Sequence, residues 1–165
     1  MAWQKLLSLE TIARLVRDLR GQGKKVCLTH GAFDLFHISH LDLLNKSAML
    51  CDFLIVGVES DASVAKYKSD KRPIINQYDR VNILSSLKPV DAVFVKDVEL
   101  TSKGRIGLYN QLMPNYITIG QHYFIEDEIT HDAEKAGAEL VKIWTKQEPT
   151  TTSIINEINE RYIDG

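Results

Sequence analysis

Phe53-Leu54-Ile55-Val56-Gly57-Val58 is apolar without a break. A run of this kind is expected for a strand covered on both faces of a parallel sheet, so helices must flank it on either side. The surrounding sequence supplies them. Leu9, Ile12, Leu15, Val16 and Leu19 recur at helical spacing, with Ser8 placed to cap the start and Gly21 to end it. Val26-Cys27-Leu28-Thr29 then reads as a strand, Gly31-Ala32-Phe33-Asp34 as a loop, and a second helical pattern begins near His40. Beyond the central strand, the order continues as a short helix over 61–67, an extended crossing at Arg72-Pro73, and a helix over 77–87 ended by Pro89. Strands are expected at 92–95, 116–119 and 140–143, and helices at 106–112, 129–136 and 152–162. Strand and helix alternating in this way predict a Rossmann-like, doubly wound, five-stranded parallel sheet. Ligands of such sheets bind beyond the carboxyl ends of the strands, so the loop after the first strand should line the site.

The 165 residues suffice for one domain, read as an N-terminal helix over 1–23 and an α/β core over 24–165. A formal net charge of -2 provides no broad basic field for a nucleic-acid backbone, so phosphate recognition has to be local. No run of eighteen apolar residues and no signal-peptide core is present, and no membrane partner is expected. Cys27 and Cys51 sit in apolar runs without partners at metal-ligand spacing, which favours buried free thiols over a disulfide. A cytoplasmic location is expected.

The loop after the first strand reads Thr29-His30-Gly31-Ala32-Phe33-Asp34-Leu35-Phe36-His37-Ile38-Ser39-His40-Leu41, with two histidines three apart as a helix opens. A histidine pair can cap a helix, rest satisfied in a core or bind a metal. The last is the weakest of these, because no Cys, Asp or Glu cluster is placed to complete a coordination shell. Position favours a fourth role. Free N–H groups and the positive dipole end make a helix start attractive to anions, and imidazoles there add hydrogen bonds to phosphate oxygens.

Gly31-x-Phe33-Asp34-x-x-His37-x-x-His40 resembles the G-x-F-D-x-x-H-x-G-H signature of the cytidylyltransferase-like nucleotidylyltransferases. Ser60-Asp61-Ala62-Ser63, Lys68, Arg72-Pro73, Arg80 and Thr150-Thr151-Thr152-Ser153-Ile154 extend the likeness over nearly the whole chain. Within that superfamily it is most similar to the bacterial heptose 1-phosphate adenylyltransferases. The resemblance implies attack by a substrate phosphate oxygen on the α-phosphorus of an NTP, with pyrophosphate leaving. It assigns His37 and His40 to the α- and β-phosphates, Lys68 to the bridge between substrate phosphate and triphosphate, and Arg80 to the β- and γ-phosphates. Gly31, Ala32, Phe33, Ser39, Gly120, Thr150, Thr151 and Thr152 are then expected around the nucleotide. Asp34, Arg72, Gln121 and His122 fall on the substrate side, although Asp34 also reads as a structural residue holding His30 or a backbone amide.

Each residue has a plainer role open to it. Lys68 can be a solvated surface charge, Arg80 a partner of Asp79 or Asp91, and the threonine run a helix cap. Mg²⁺ is expected as the partner of the triphosphate, retaining several waters, rather than in a cage of protein ligands. The sequence departs from the family pattern at Ser39, where glycine is usual, and at Gly120-Gln121-His122, where G-G-D is usual. His30 stands for the usual Asn, and Glu148-Pro149 precedes the threonine run. Three functions are compatible with these residues: an ATP-dependent enzyme acting on a heptose 1-phosphate or related sugar phosphate, a CTP-dependent one acting on a polyol phosphate such as glycerol 3-phosphate, or a degenerate NTP-binding regulator. Exposed apolar positions on peripheral helices make a homodimer the expected assembly.

Overall fold

The computed structural model describes residues 5–99, 101–121, 125–146 and 148–162. Among the described residues, seven helices and five strands follow in the order α1 (Leu9–Gly21), β1 (Val26–Gly31), α2 (Ile38–Ala48), β2 (Phe53–Glu59), α3 (Asp61–Tyr67), α4 (Gln77–Ser85), β3 (Ala92–Lys96), α5 (Ser102–Leu112), β4 (Tyr116–Gly120), α6 (Glu126–Lys135), β5 (Glu139–Ile143) and α7 (Thr151–Tyr162). The sheet is parallel throughout, in the order β3-β2-β1-β4-β5. Strand order reverses beside β1, so the crevice expected of a doubly wound sheet opens above its carboxyl end.

Successive side chains of each strand point to opposite faces, and each face meets a separate helical layer. Leu28, Ile55, Phe94 and Ile117 join Ile12, Val16, Leu108 and Leu112 of α1 and α5 in one core. Cys27, Leu54, Val56 and Val93 join Leu44, Val81 and Leu84 of α2 and α4 in the other. Leu54, Ile55 and Val56 are fully buried, as their unbroken apolar run requires. Each such side chain contributes about 1.5–3 kcal/mol on leaving water.

The observed elements are longer than the apolar periodicity indicates at several ends. α2 begins at Ile38 rather than near His40, α5 at Ser102 rather than Ile106, and α6 at Glu126 rather than Ile129. The first turns of α5 and α6 are largely polar, so hydrophobic spacing does not reveal them. Thr101 does mark the start of α5, since its hydroxyl accepts from the Gly104 N–H at 3.2 Å. Cys27 is buried and Cys51 partly so, and neither forms a disulfide.

Candidate active site

β1 hands over to α2 through a strained loop. Phe33 and Leu35 have φ angles of 52° and 45°, the left-handed region that side chains ordinarily avoid. Strain of this kind costs about 1–3 kcal/mol per residue and persists only where the surroundings over-determine it. Asp34 is the main brace. Its carboxylate accepts from the backbone N–H of Leu35 at 3.0 Å and of Ile74 and Ile75 at 2.9 Å, and from Arg72 Nε at 2.7 Å. Burial alone would raise its pKa, but those donors outweigh it and hold the carboxyl below its usual range. Arg80 is the second brace: wholly buried, it donates to the carbonyl of Ala32, to that of Ile75 at 2.9 Å and to Asp61 Oδ1 at 2.7 Å. Its ion-pair partner is thus Asp61, not Asp79 or Asp91. A third tie comes from the far end of the chain, where Thr151 Oγ1 donates to the Asp34 carbonyl at 2.8 Å.

His37, in extended conformation, is the cap residue of α2. Its ring stacks on that of His40 with centroids 3.7 Å apart, and His40 packs edge-on against Phe33 at 5.4 Å and beside Phe36 at 5.6 Å. Burial, then the neighbouring His37 and Lys68, pushes the His40 pKa down to about 3. His37 is lowered as well, chiefly by burial, with Glu148 opposing the shift. Both rings are therefore neutral at pH 7. His40 Nδ1 accepts a long bond, 3.4 Å, from the His37 backbone N–H. That acceptor role puts the proton of the neutral ring on Nε2, which becomes a donor.

The loop and the histidines line a cavity of about 590 Å³ beyond the carboxyl ends of the strands. Gly31, Ala32, Phe33, Asp34, His37, Ser39, His40, Lys68, Gly120, Thr150, Thr151 and Thr152 all border it. Thr150 accepts from the Ser153 N–H at 3.0 Å, so the run caps α7 while facing the cavity. The serine between the histidines fastens two distant segments: Ser39 Oγ donates to the Pro149 carbonyl at 3.0 Å. Arg72 and Arg80 are not brought to the cavity lining; they stand behind the β1–α2 loop as braces. Gln121 holds Thr145, donating from Nε2 to its carbonyl at 2.9 Å. His122 lies outside the described residues.

Sequence reasoning passed over one wall of the cavity, made by Glu59, Tyr67, Lys96 and Arg105. Glu59 and Lys96 end β2 and β3 and are register partners. Both are buried in a region that spacing alone would fill with apolar side chains. The signal was available: a charged residue closing each of two apolar strands, where the sheet's ligands are expected.

Comparison with known proteins agrees with this architecture. Residues 28–159 match the cytidylyltransferase-like family, and the chain belongs to that family of nucleotidyltransferases. It is 36% identical over 155 residues to the bifunctional protein HldE of Desulfatibacillum aliphaticivorans, covering 93% of this chain and 31% of that protein. Against the bifunctional protein HldE of Helicobacter acinonychis it is 36% identical over 164 residues, with 97% and 32% covered. The chain therefore spans about a third of the length of these relatives. Among solved structures, the lipopolysaccharide core biosynthesis protein from Thermoplasma volcanium superposes with a TM-score of 0.62 at 25% identity, over 77% of this chain and all of that one. A pantoate-beta-alanine ligase from Francisella tularensis shares the fold, with a TM-score of 0.61 at 15% identity over 94% of this chain and 77% of that one.

Proposed function

We propose that this chain transfers AMP from ATP to a sugar phosphate of the heptose 1-phosphate type, releasing pyrophosphate. The observation that carries the reading is the stacked, neutral His37–His40 pair at the start of α2, facing a cavity bordered by Lys68 and the threonine run. The relatives named bifunctional protein HldE and the lipopolysaccharide core biosynthesis protein direct the choice of acceptor toward sugar chemistry.

A phosphate nucleophile is already ionised near pH 7, so the residues here need only align two anions and meet charge as it grows on the α-phosphate oxygens and the leaving pyrophosphate. His40 Nε2–H and His37 donate to the α- and β-phosphates. The free N–H groups of the α2 start add to them. Lys68 draws the acceptor phosphate toward the α-phosphorus; burial, then Arg72, lowers its pKa, while Glu59 and Asp34 oppose the loss of charge. Thr150, Thr151 and Thr152 close on the phosphates from the other side. Arg80 serves by fixing the Ala32 carbonyl and thereby the loop.

Mg²⁺ fits as a companion of the triphosphate. Among the described residues no three His, Cys, Asp or Glu side chains are grouped to hold a metal ion, and the Asp34 carboxylate is taken up by four N–H donors. Bound with the triphosphate, the ion would neutralise charge on the phosphate oxygens.

The test is a panel: protein and Mg²⁺ with each NTP and a set of sugar and polyol phosphates, reading pyrophosphate. Turnover with ATP and heptose 1-phosphate is expected. Turnover confined to CTP and glycerol 3-phosphate would replace the reading, and tight NTP binding without any turnover would sink it.

A further inference from the structure

Glu59 and Lys96 form the last rung of β2 and β3, on the face of the sheet covered by α5. Lys96 is wholly buried, its ammonium 3.8 Å from Glu59 Oε1 and without a hydrogen bond among the described residues. A buried ammonium with three unmade bonds is costly unless something else meets it. Among the described residues no hydrogen-bond acceptor meets it. Arg105, the nearest cation on α5, is held by Asp132 at 2.6 Å and by Glu128 at 3.0 Å. Glu59 faces it: Oε2 accepts from the Tyr67 hydroxyl, and Oε1 is the oxygen 3.8 Å from the ammonium. Both side chains border the cavity.

The spacing selects the ligand. At 3.8 Å the ammonium and the carboxylate stand too far apart to bond each other. A hydroxyl group between them accepts from Nζ and donates to Oε1, each at about 2.8 Å. A phosphate cannot take that place, because its oxygens only accept and Glu59 repels them. An apolar group would leave both ions bare.

We infer that Glu59 and Lys96 bind hydroxyl groups of the acceptor, forming a polyol subsite at the β2–β3 end of the cavity. The inference rests on the reading of the chain as a transferase to a sugar phosphate, and it divides the acceptor into two ends. Lys68, which follows Tyr67 at the end of α3, meets the phosphate, and the Glu59–Lys96 rung meets the carbon chain. Tyr67 fixes the carboxylate, and Gly57, two rungs earlier on the same face, keeps the row compact: a Cβ there would stand 2.8 Å from Phe94. His30, which borders the cavity, pairs through Nε2 with the Tyr109 hydroxyl at 3.1 Å.

Calorimetric titration of ATP and of heptose 1-phosphate, separately, into the wild-type protein, Lys96→Met and Glu59→Gln tests the assignment, with turnover measured on the same samples. Glu59→Gln keeps the shape and the Tyr67 contact, so it reports even where Lys96→Met fails to fold. Both variants are expected to bind heptose 1-phosphate at least tenfold more weakly and ATP within twofold of wild type. Removing single hydroxyls from the sugar should reveal one whose loss matters to wild type and not to the variants. Unchanged acceptor binding, an equal loss for ATP and acceptor, or no binding of heptose 1-phosphate to the wild type would each overturn the subsite. Wild-type binding without pyrophosphate release would instead count against the transferase reading, leaving the variants to decide the subsite.

Discussion

At the scale of single residues, the two histidines and the aspartate of the loop divide the labour. His40 is held neutral by burial, and its Nδ1 is used, so Nε2–H is the group it offers to a phosphate. A donor that meets charge developing in the transition state affects kcat more than ground-state binding. His40→Ala should therefore lower kcat by about 10²–10³, while calorimetry shows ATP affinity nearly unchanged; equal losses in both would sink the role. Asp34 differs. Its side chain is fully buried and that of Arg72 nearly so, with exposures of 0% and 10%, and removing one partner strands the other. Asp34→Ala is expected to cost roughly 3–5 kcal/mol, read in a denaturant titration as a lower midpoint at an unchanged slope. Asp34→Asn keeps one acceptor oxygen, enough for the Oδ1 partners Leu35 and Ile75 or for the Oδ2 partners Arg72 and Ile74 but not for both sets, and should recover part of that loss.

At the scale of elements, the start of α2 and the start of α7 work as one unit. Ser39 donates to the Pro149 carbonyl and Thr151 to the Asp34 carbonyl, so two hydroxyls join segments more than a hundred residues apart in sequence. Ser39→Ala removes one tie, at a cost of about 0.5–1.5 kcal/mol. Faster amide exchange in the first turn of α7 is the expected sign, with the exchange of β2 unchanged. How far this was legible follows from the same elements. The unbroken apolar run of β2 and the spacing in α1 identify a parallel α/β sheet because burial on two faces or one leaves a direct mark on composition. The histidines were found because a helix start after a strand end is a local pattern. Arg80 was not readable as a brace: its three partners come from residues 32, 61 and 75, and only the folded chain sets them together. The Glu59–Lys96 rung was half legible: a charge closes each apolar strand in the sequence, but the register that pairs the two is a tertiary fact.

At the scale of the whole molecule, acid should loosen the fold in two stages. His30 is buried, and that burial, then the positive charges of Lys96 and Arg105, lowers its pKa from 6.5 to about 3. His40 is lowered to about 3 as well. For a base depressed in the folded state, the unfolded chain takes up the proton first. Stability is complete above pH 6.5 and falls as pH drops toward 3, by up to about 1.4 kcal/mol per pH unit for each group. Below pH 3.8 the braced carboxylates of Asp34 and Asp132 add a second loss, because their folded pKa values are depressed and they give up their ionised form late. Thermal unfolding followed from pH 7 to 4 should show the first stage, and His30→Gln should flatten it. The strand order has a consequence for how such a protein diversifies. With β1 central, the ends of β2 and β3 carry the rung proposed for the acceptor's hydroxyls, and the start of α7 carries the threonines proposed for the nucleotide phosphates. Under that proposal the two contact sets lie in separate blocks of the gene, so exchanging the β2–β3 block between relatives is expected to alter acceptor affinity while the phosphate contacts at the start of α7 are inherited intact.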